Sequence, residues 1–310
     1  MDQINLPGQS QSSTLERWPE LPFAAWKETC ETLHMWTQIV GKIRLACSPY
    51  VNHWWQVPLY VTARGLTTSP MLYQKGIFEM TFDFIDHLLL IQTSEDHFKV
   101  VPLFARSVAE FYQELFSVLQ ALGIHVQINT LPQEVKNPIR FPEDTVHASY
   151  DPIFVNRFWH ILVQIDTVLM RYRSFFIGKS SPIHFFWGSF DIALTFFSGR
   201  PTPERPGADK ITREAYSHEV ISAGFWPGNA DFPQAAFYSY TVPIPAGLAA
   251  EPIRPSSAYY NAELGEFLLT YDDVRHADAP EEILLDFYRS TYEAGARAAG
   301  WDRQALEKRG

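Results

Sequence analysis

Four stretches of the chain carry apolar residues at helical spacing. In residues 26–47, Leu33, Trp36, Val40, Ile43 and Cys47 recur at spacings of 3, 4, 3 and 4, which is one face of an α-helix. A second line on the same segment, Glu31, His34, Gln38 and Lys42, gathers polar groups on another face. Residues 107–122 repeat the apolar pattern with Val108, Phe111, Leu115, Val118, Leu119 and Leu122, and Gly123 supplies the stop. Residues 152–176 do so with Phe154, Phe158, Ile161, Ile165, Leu169 and Tyr172. Residues 280–299 form the last predicted helix, with Pro280 in its first turn, where a missing N–H costs nothing.

Between these helices the period drops to two. Residues 53–64 alternate Trp55, Val57, Leu59, Val61 and Ala63 with Trp54, Gln56, Tyr60, Thr62 and Arg64, predicting a strand closed by Gly65. Pro58 lacks a ladder donor, which assigns that strand to a sheet edge or a bulge. Residues 77–84, 88–93 and 98–103 predict an antiparallel meander, and 124–128 a further short strand. The second half offers a turn and strand over 176–200, then strands over 218–225, 235–242 and 264–271. Residues 129–152, with four prolines, read as a connection, and residues 1–17 as a loose tail.

The pattern predicts an α+β fold of two similar helix–strands–helix halves, residues 18–150 and 151–301, with antiparallel or mixed sheets covered by helices. Short matches recur in the same order in both. His34…Gln38-Ile39 answers His160…Gln164-Ile165, and Ser48-Pro49 answers Ser181-Pro182. His53-Trp-Trp answers His184-Phe-Phe, and Glu110-Phe-Tyr answers Asp286-Phe-Tyr. An internal duplication is expected on this basis, and it would place a cleft between equivalent units.

Composition narrows the partners. Of 310 residues, 46% are apolar, 15% aromatic and only 19% charged, so a large buried core is expected and general disorder is excluded. A net charge of -10 sets the whole-molecule field against nucleic acid and anionic membranes. No uncharged apolar run reaches the roughly 18 residues that a spanning helix needs. Neither nucleic acid nor membrane is therefore expected as a partner. Cys30 and Cys47 lie on one predicted helix, roughly 25 Å apart, too far for a disulfide. Together with a polar N-terminus lacking a signal pattern, this points to a reducing, cytoplasmic setting.

Candidate chemistry centres on residues 176–200, which hold Lys179, His184, Trp187, Asp191 and Arg200. A continuous strand would put His184 and Asp191, seven residues apart, on opposite faces, unless Gly188 carries a bulge. Ser189 then lies inside a strand, and no Gly-x-Ser-x-Gly elbow makes it a nucleophile. His218 and Glu219 add an adjacent pair pointing opposite ways. His184, Asp191, His218 and Glu219 are thus the proton-handling candidates, against the plain alternative of a hydrogen-bonded core histidine and a capping aspartate. No His-x-x-x-His, His-Glu-x-x-His or cysteine pair supports a metal site, and no phosphate loop surrounds Gly41-Lys42 or Gly178-Lys179, so no cofactor is named.

Seven of the 25 basic residues, Lys42, Arg44, Arg64, Arg171, Arg173, Lys179 and Arg200, cluster on or beside the repeated helix and strand. In an acidic chain this suits a local anion site, and ordinary pairing with the 35 acidic residues is the alternative. The reading is a small-molecule enzyme whose anionic substrate binds between the halves. Ligand-binding candidates are Lys42, Arg44, His53, Lys179, Trp187, Arg200 and Trp226. A non-catalytic ligand-binding or protein-interaction module using the same pocket is the alternative. The sequence leaves the oligomeric state open.

Several motifs carry a resemblance. Trp18-Pro-x-Leu-Pro, Asn52-His-Trp-Trp55, Gly178-Lys-Ser-Ser-Pro, His184-Phe-Phe-Trp-Gly-Ser-Phe-Asp191, Ser217-His-Glu219 and Gly224-Phe-Trp-Pro-Gly228 resemble an uncharacterised bacterial family known only as a domain of unknown function. The resemblance spans residues 18–301 and implies a protein built of that single family. It supplies no activity, cofactor or catalytic residue.

Overall fold

The computed structural model describes residues 16–74, 76–204 and 206–308, so the tail expected over 1–17 falls almost wholly outside the described residues. The first half runs from α1 (Phe23–Cys47) through β1 (Tyr60–Val61), β2 (Gly65–Thr67), β3 (Met71–Tyr73), β4 (Gly76–Asp83), β5 (Leu88–Thr93) and β6 (Phe98–Pro102) to α2 (Val108–Ala121). The second runs from α3 (Pro152–Arg173) through β7 (His184–Phe186), β8 (Asp191–Pro201), α4 (Lys210–Ala215), β9 (His218–Trp226) and β10 (Ala236–Val242). It ends with β11 (Tyr259–Asn261), β12 (Glu266–Thr270), α5 (Tyr271–Arg275), α6 (Pro280–Ala298) and α7 (Arg303–Leu306).

Each half contributes one antiparallel sheet of six strands, the first ordered β1-β2-β4-β5-β6 with β3 on β4, the second β11-β12-β10-β9-β8-β7. The fold is α+β. The sheets meet at a seam where Leu59 and Phe185 exchange both backbone hydrogen bonds at 2.8 Å.

The stripes read from the sequence form the core. On the second sheet, Ile192, Leu194, Phe196, Ile221, Phe225 and Phe237 are buried on one face. α6 packs on this sheet and donates the Tyr288 hydroxyl to Gly224 O at 3.0 Å. α1 is buried on most sides. Trp36 stacks on Phe111 of α2 at 4.6 Å, and Trp26 meets Phe158 of α3 at 5.2 Å. Each fully buried side chain of this kind, Leu33 or Ile43 for example, contributes about 1.5–3 kcal/mol.

The polar line on α1 works as a clamp. Lys42 Nζ donates to Leu131 O at 2.7 Å. Gln38 donates to Gln133 O at 2.9 Å and accepts from Gln133 N at 2.8 Å. His34 Nε2 lies 3.0 Å from Trp187 O and 2.9 Å from Gly188 O. These contacts satisfy backbone groups of irregular segments that no sheet ladder reaches.

Three sequence expectations need correction. Residues 53–64 are not one strand, because Asn52–Trp54 forms a 3-10 turn with His53 and Trp54 at φ 57° and 61°. The alternation there reflects loop residues packing to two sides, and only Tyr60–Val61 joins a ladder. Residues 124–128 carry no strand. The third correction, over residues 184–197, shapes the site.

Candidate functional site

The chain reverses at residues 187–190, so β7 and β8 are antiparallel neighbours, with His184 opposite Ala193 and Phe186 opposite Asp191. Phe190 sits at φ 60°, a conformation costing a non-glycine residue about 1–2 kcal/mol. Its ring is buried against Phe158 at 5.3 Å and His34 at 4.9 Å, which offsets that cost. The reversal places His184 and Asp191 on one face of the sheet without a bulge, and puts Ser189 on the turn rather than in a strand.

The two residues nevertheless belong to separate networks. Asp191 accepts hydrogen bonds from Ser189 and from Tyr238. Burial raises its pKa, and the two hydroxyls pull it partly back. Nearby Glu266 is pushed up to about 7 by burial and by Asp191. Trp226 stands at this end of the sheet, 6.0 Å from the Tyr238 ring and 5.1 Å from Phe232.

His184 lies nearer the seam. It is fully buried among Trp55, Tyr60 and Phe186, at ring distances of 6.1, 5.5 and 5.4 Å. Neither ring nitrogen meets a hydrogen-bonding partner. Burial, with the charges of Arg44 and Arg173, lowers its pKa to about 3. The expectation of a hydrogen-bonded core histidine therefore fails. Arg44 lies over the Tyr60 ring at 5.4 Å, and its buried Nε has no partner.

Beside them lies the most convergent group of candidate side chains. His53 Nδ1 is 3.1 Å from Glu214 O, and its Nε2 is 2.6 Å from Lys179 Nζ. A carbonyl only accepts, so Nδ1 carries the proton, and Nε2 accepts from the lysine. Lys179 Nζ also lies 4.9 Å from the Phe197 ring and 5.3 Å from Trp55. The His218 ring stands 5.8 Å from His53. Burial, then the Lys179 charge, lowers the His53 pKa, and burial lowers that of Lys179. The backbone holds Lys179 firmly, since Phe197 N donates to Lys179 O at 3.0 Å. Among the described residues neither Lys179 nor Arg44 makes an ion pair.

The remaining candidates lie elsewhere. Lys42 clamps the connection to the second half, and burial brings its pKa down to about 8. Trp187 is buried, and its Nε1 donates to Val57 O at 2.8 Å. Glu219 leaves the sheet on the side opposite His218, since neighbours along a strand alternate. It pairs with Arg200 at 2.7 Å, and Arg200 also donates to Ala299 O and Gly300 O at the end of α6. A cleft of about 270 Å³ there touches Glu219 and no other candidate. Among the described residues, no three His, Cys, Asp or Glu side chains converge on a point that could hold a metal ion. Tyr60, Phe197, Lys210 and the Glu214 carbonyl were not singled out from the sequence. Only the meeting of the sheets and α4 brings them to the seam.

Residues 18–308 match the model of a family of unknown function, DUF5996. The chain belongs to that family. No curated protein and no solved structure matches it. Among the described residues of this DUF5996 protein, no helix is long and apolar enough to cross a membrane.

Proposed function

We propose that this protein acts on a small anionic molecule bound at the seam, where His53, Trp55, Lys179, His184, Arg44 and His218 gather from both halves. One observation carries the reading: cationic and imidazole groups surround Trp55, and among the described residues no carboxylate pairs with Lys179. Lys179 is exposed but stands against the Trp55 and Phe197 rings without a counter-ion, and an anionic ligand supplies one. Trp55 and Phe197 add apolar ring surface suited to a planar ligand. His53, whose Nε2 lone pair accepts from Lys179, suits proton transfer and favours an enzyme over a passive binder.

The test is calorimetric titration with benzoate and with inorganic phosphate. At least one should bind, and Lys179→Met should weaken it about tenfold or more, as expected for a lost charged hydrogen bond. Arg200→Ala, on the other side of the sheet, should leave that affinity unchanged. Absence of binding by both anions, or binding that survives Lys179→Met, would overturn the reading.

A further inference from the structure

We propose that Lys179 is an amine nucleophile that forms an imine with an anionic aldehyde or α-keto acid, with His53 as the base that takes its proton. The anionic part of this substrate class rests on the function proposed above. The nucleophile rests on geometry of its own.

A lysine attacks a carbonyl only as the neutral amine, so a nucleophilic lysine needs a base within hydrogen-bond reach and something to hold that base in place. Lys179 Nζ is 2.6 Å from His53 Nε2, and Glu214 O, 3.1 Å from Nδ1, holds the ring in the tautomer that leaves Nε2 free to accept. No carboxylate pairs with Lys179 among the described residues, so nothing holds it as an ammonium by ion pairing. Burial lowers the pKa of both groups, so Lys179 gives up its proton more readily than a lysine in water. Lys179 is exposed, so a carbonyl compound reaches it without opening the fold.

The backbone adds an independent sign. His53 and Trp54 are successive residues at φ 57° and 61°, and neither is a glycine. Strain of this kind persists where surrounding structure holds a residue in place for a task. Here it turns the His53 ring towards Lys179 and towards His218.

In the step itself, His53 accepts a proton from Lys179, and the amine lone pair attacks the carbonyl carbon. The C–N bond forms while the carbonyl π electrons move to oxygen, which is protonated. Loss of a proton from nitrogen and of hydroxide from carbon, with the two combining as water, leaves the C=N double bond. No oxidant or further reactant is needed. Once Lys179 is an imine, Lys210, 5.9 Å over the Trp54 ring, remains as an exposed cation for the substrate carboxylate.

The experiment treats the full chain with glyoxylate and cyanoborohydride and follows modification of each lysine by peptide mass spectrometry. Lys179 should be labelled about tenfold or more faster than Lys99, an exposed strand residue, at neutral pH. His53→Asn, which tolerates the left-handed backbone but offers no comparable base, should bring the two rates together. Lys179→Arg should keep anion binding and lose the adduct. Should Lys179 in the native chain react no faster than Lys99 while benzoate still binds, the nucleophile is overturned and the anion site stands. Rapid labelling of Lys179 by glyoxylate and by neutral propanal alike, without anion binding, would instead keep the nucleophile and overturn the anion site.

Discussion

Gly41→Ala tests whether Trp187 is seated as the structure shows, and two effects of opposite sign must be weighed. In a helix interior, alanine is favoured over glycine by about 1 kcal/mol. At Gly41, however, an added Cβ would lie 2.1 Å from Trp187 Cδ1 and 2.2 Å from its Nε1, far inside the contact distance. The ring has little room to retreat. It is buried, its N–H is held by Val57 O at 2.8 Å, and its own carbonyl lies 3.0 Å from His34 Nε2. Overpacking of this kind costs about 1–3 kcal/mol, and a buried donor pulled from its acceptor costs about 1–3 kcal/mol more. The clash therefore outweighs the propensity gain, and a net loss of roughly 2–4 kcal/mol is expected. Urea unfolding followed by tryptophan fluorescence reads this as a lowered midpoint with an unchanged slope. Adding Trp187→Leu to Gly41→Ala should recover about 1–2 kcal/mol relative to additivity, because the two substitutions share one contact. A midpoint for Gly41→Ala equal to or above that of the native protein would refute the argument.

Two further predictions concern buried titratable groups. Lys42 is held at about 8 when folded, below its ordinary value, so the unfolded chain binds more protons above that pH. Stability should therefore rise with pH from about 8 towards about 10.5, by on the order of 2–3 kcal/mol. Lys42→Met should lack that contribution, and an offset between the two proteins that stays constant over this range would contradict it. His184→Phe replaces an imidazole with two unpartnered nitrogens by a ring of similar shape, so thermal stability should hold or rise by about 1–3 kcal/mol. Anion binding should weaken in the same variant, and a protein that is both destabilised and unimpaired in binding would count against the placement of His184.

Much of the architecture was legible in the chain because it rests on local periodicity. The stripe Leu33, Trp36, Val40 and Ile43 is fully buried in α1, and the predicted meander is β4, β5 and β6. Ser107 forms the expected start of α2 as a capping box with Glu110. Short elements such as β3, β11 and α4 were missed, since three to six residues are too few to establish a period.

The candidate site was less legible, and particular residues show why. Residue types and segments were readable: Lys179 and His184 were singled out because they cluster within residues 176–200, and His53 because His53-Trp-Trp answers His184-Phe-Phe. Their partners were not. His53 meets Lys179 across 126 positions and Glu214 across 161, distances over which no helical or strand period carries information. The separation of Arg200 and Glu219 from His218 follows from which face of β8 or β9 each residue leaves. By itself, the amino-acid order determined the helices, most strands and the pool of chemical groups, because these follow from spacing along a few turns or pleats. Only the tertiary structure decided which groups share a site, because the reversal at residues 187–190, the left-handed turn at His53 and the seam at Leu59 and Phe185 depend on burial and pairing between distant segments.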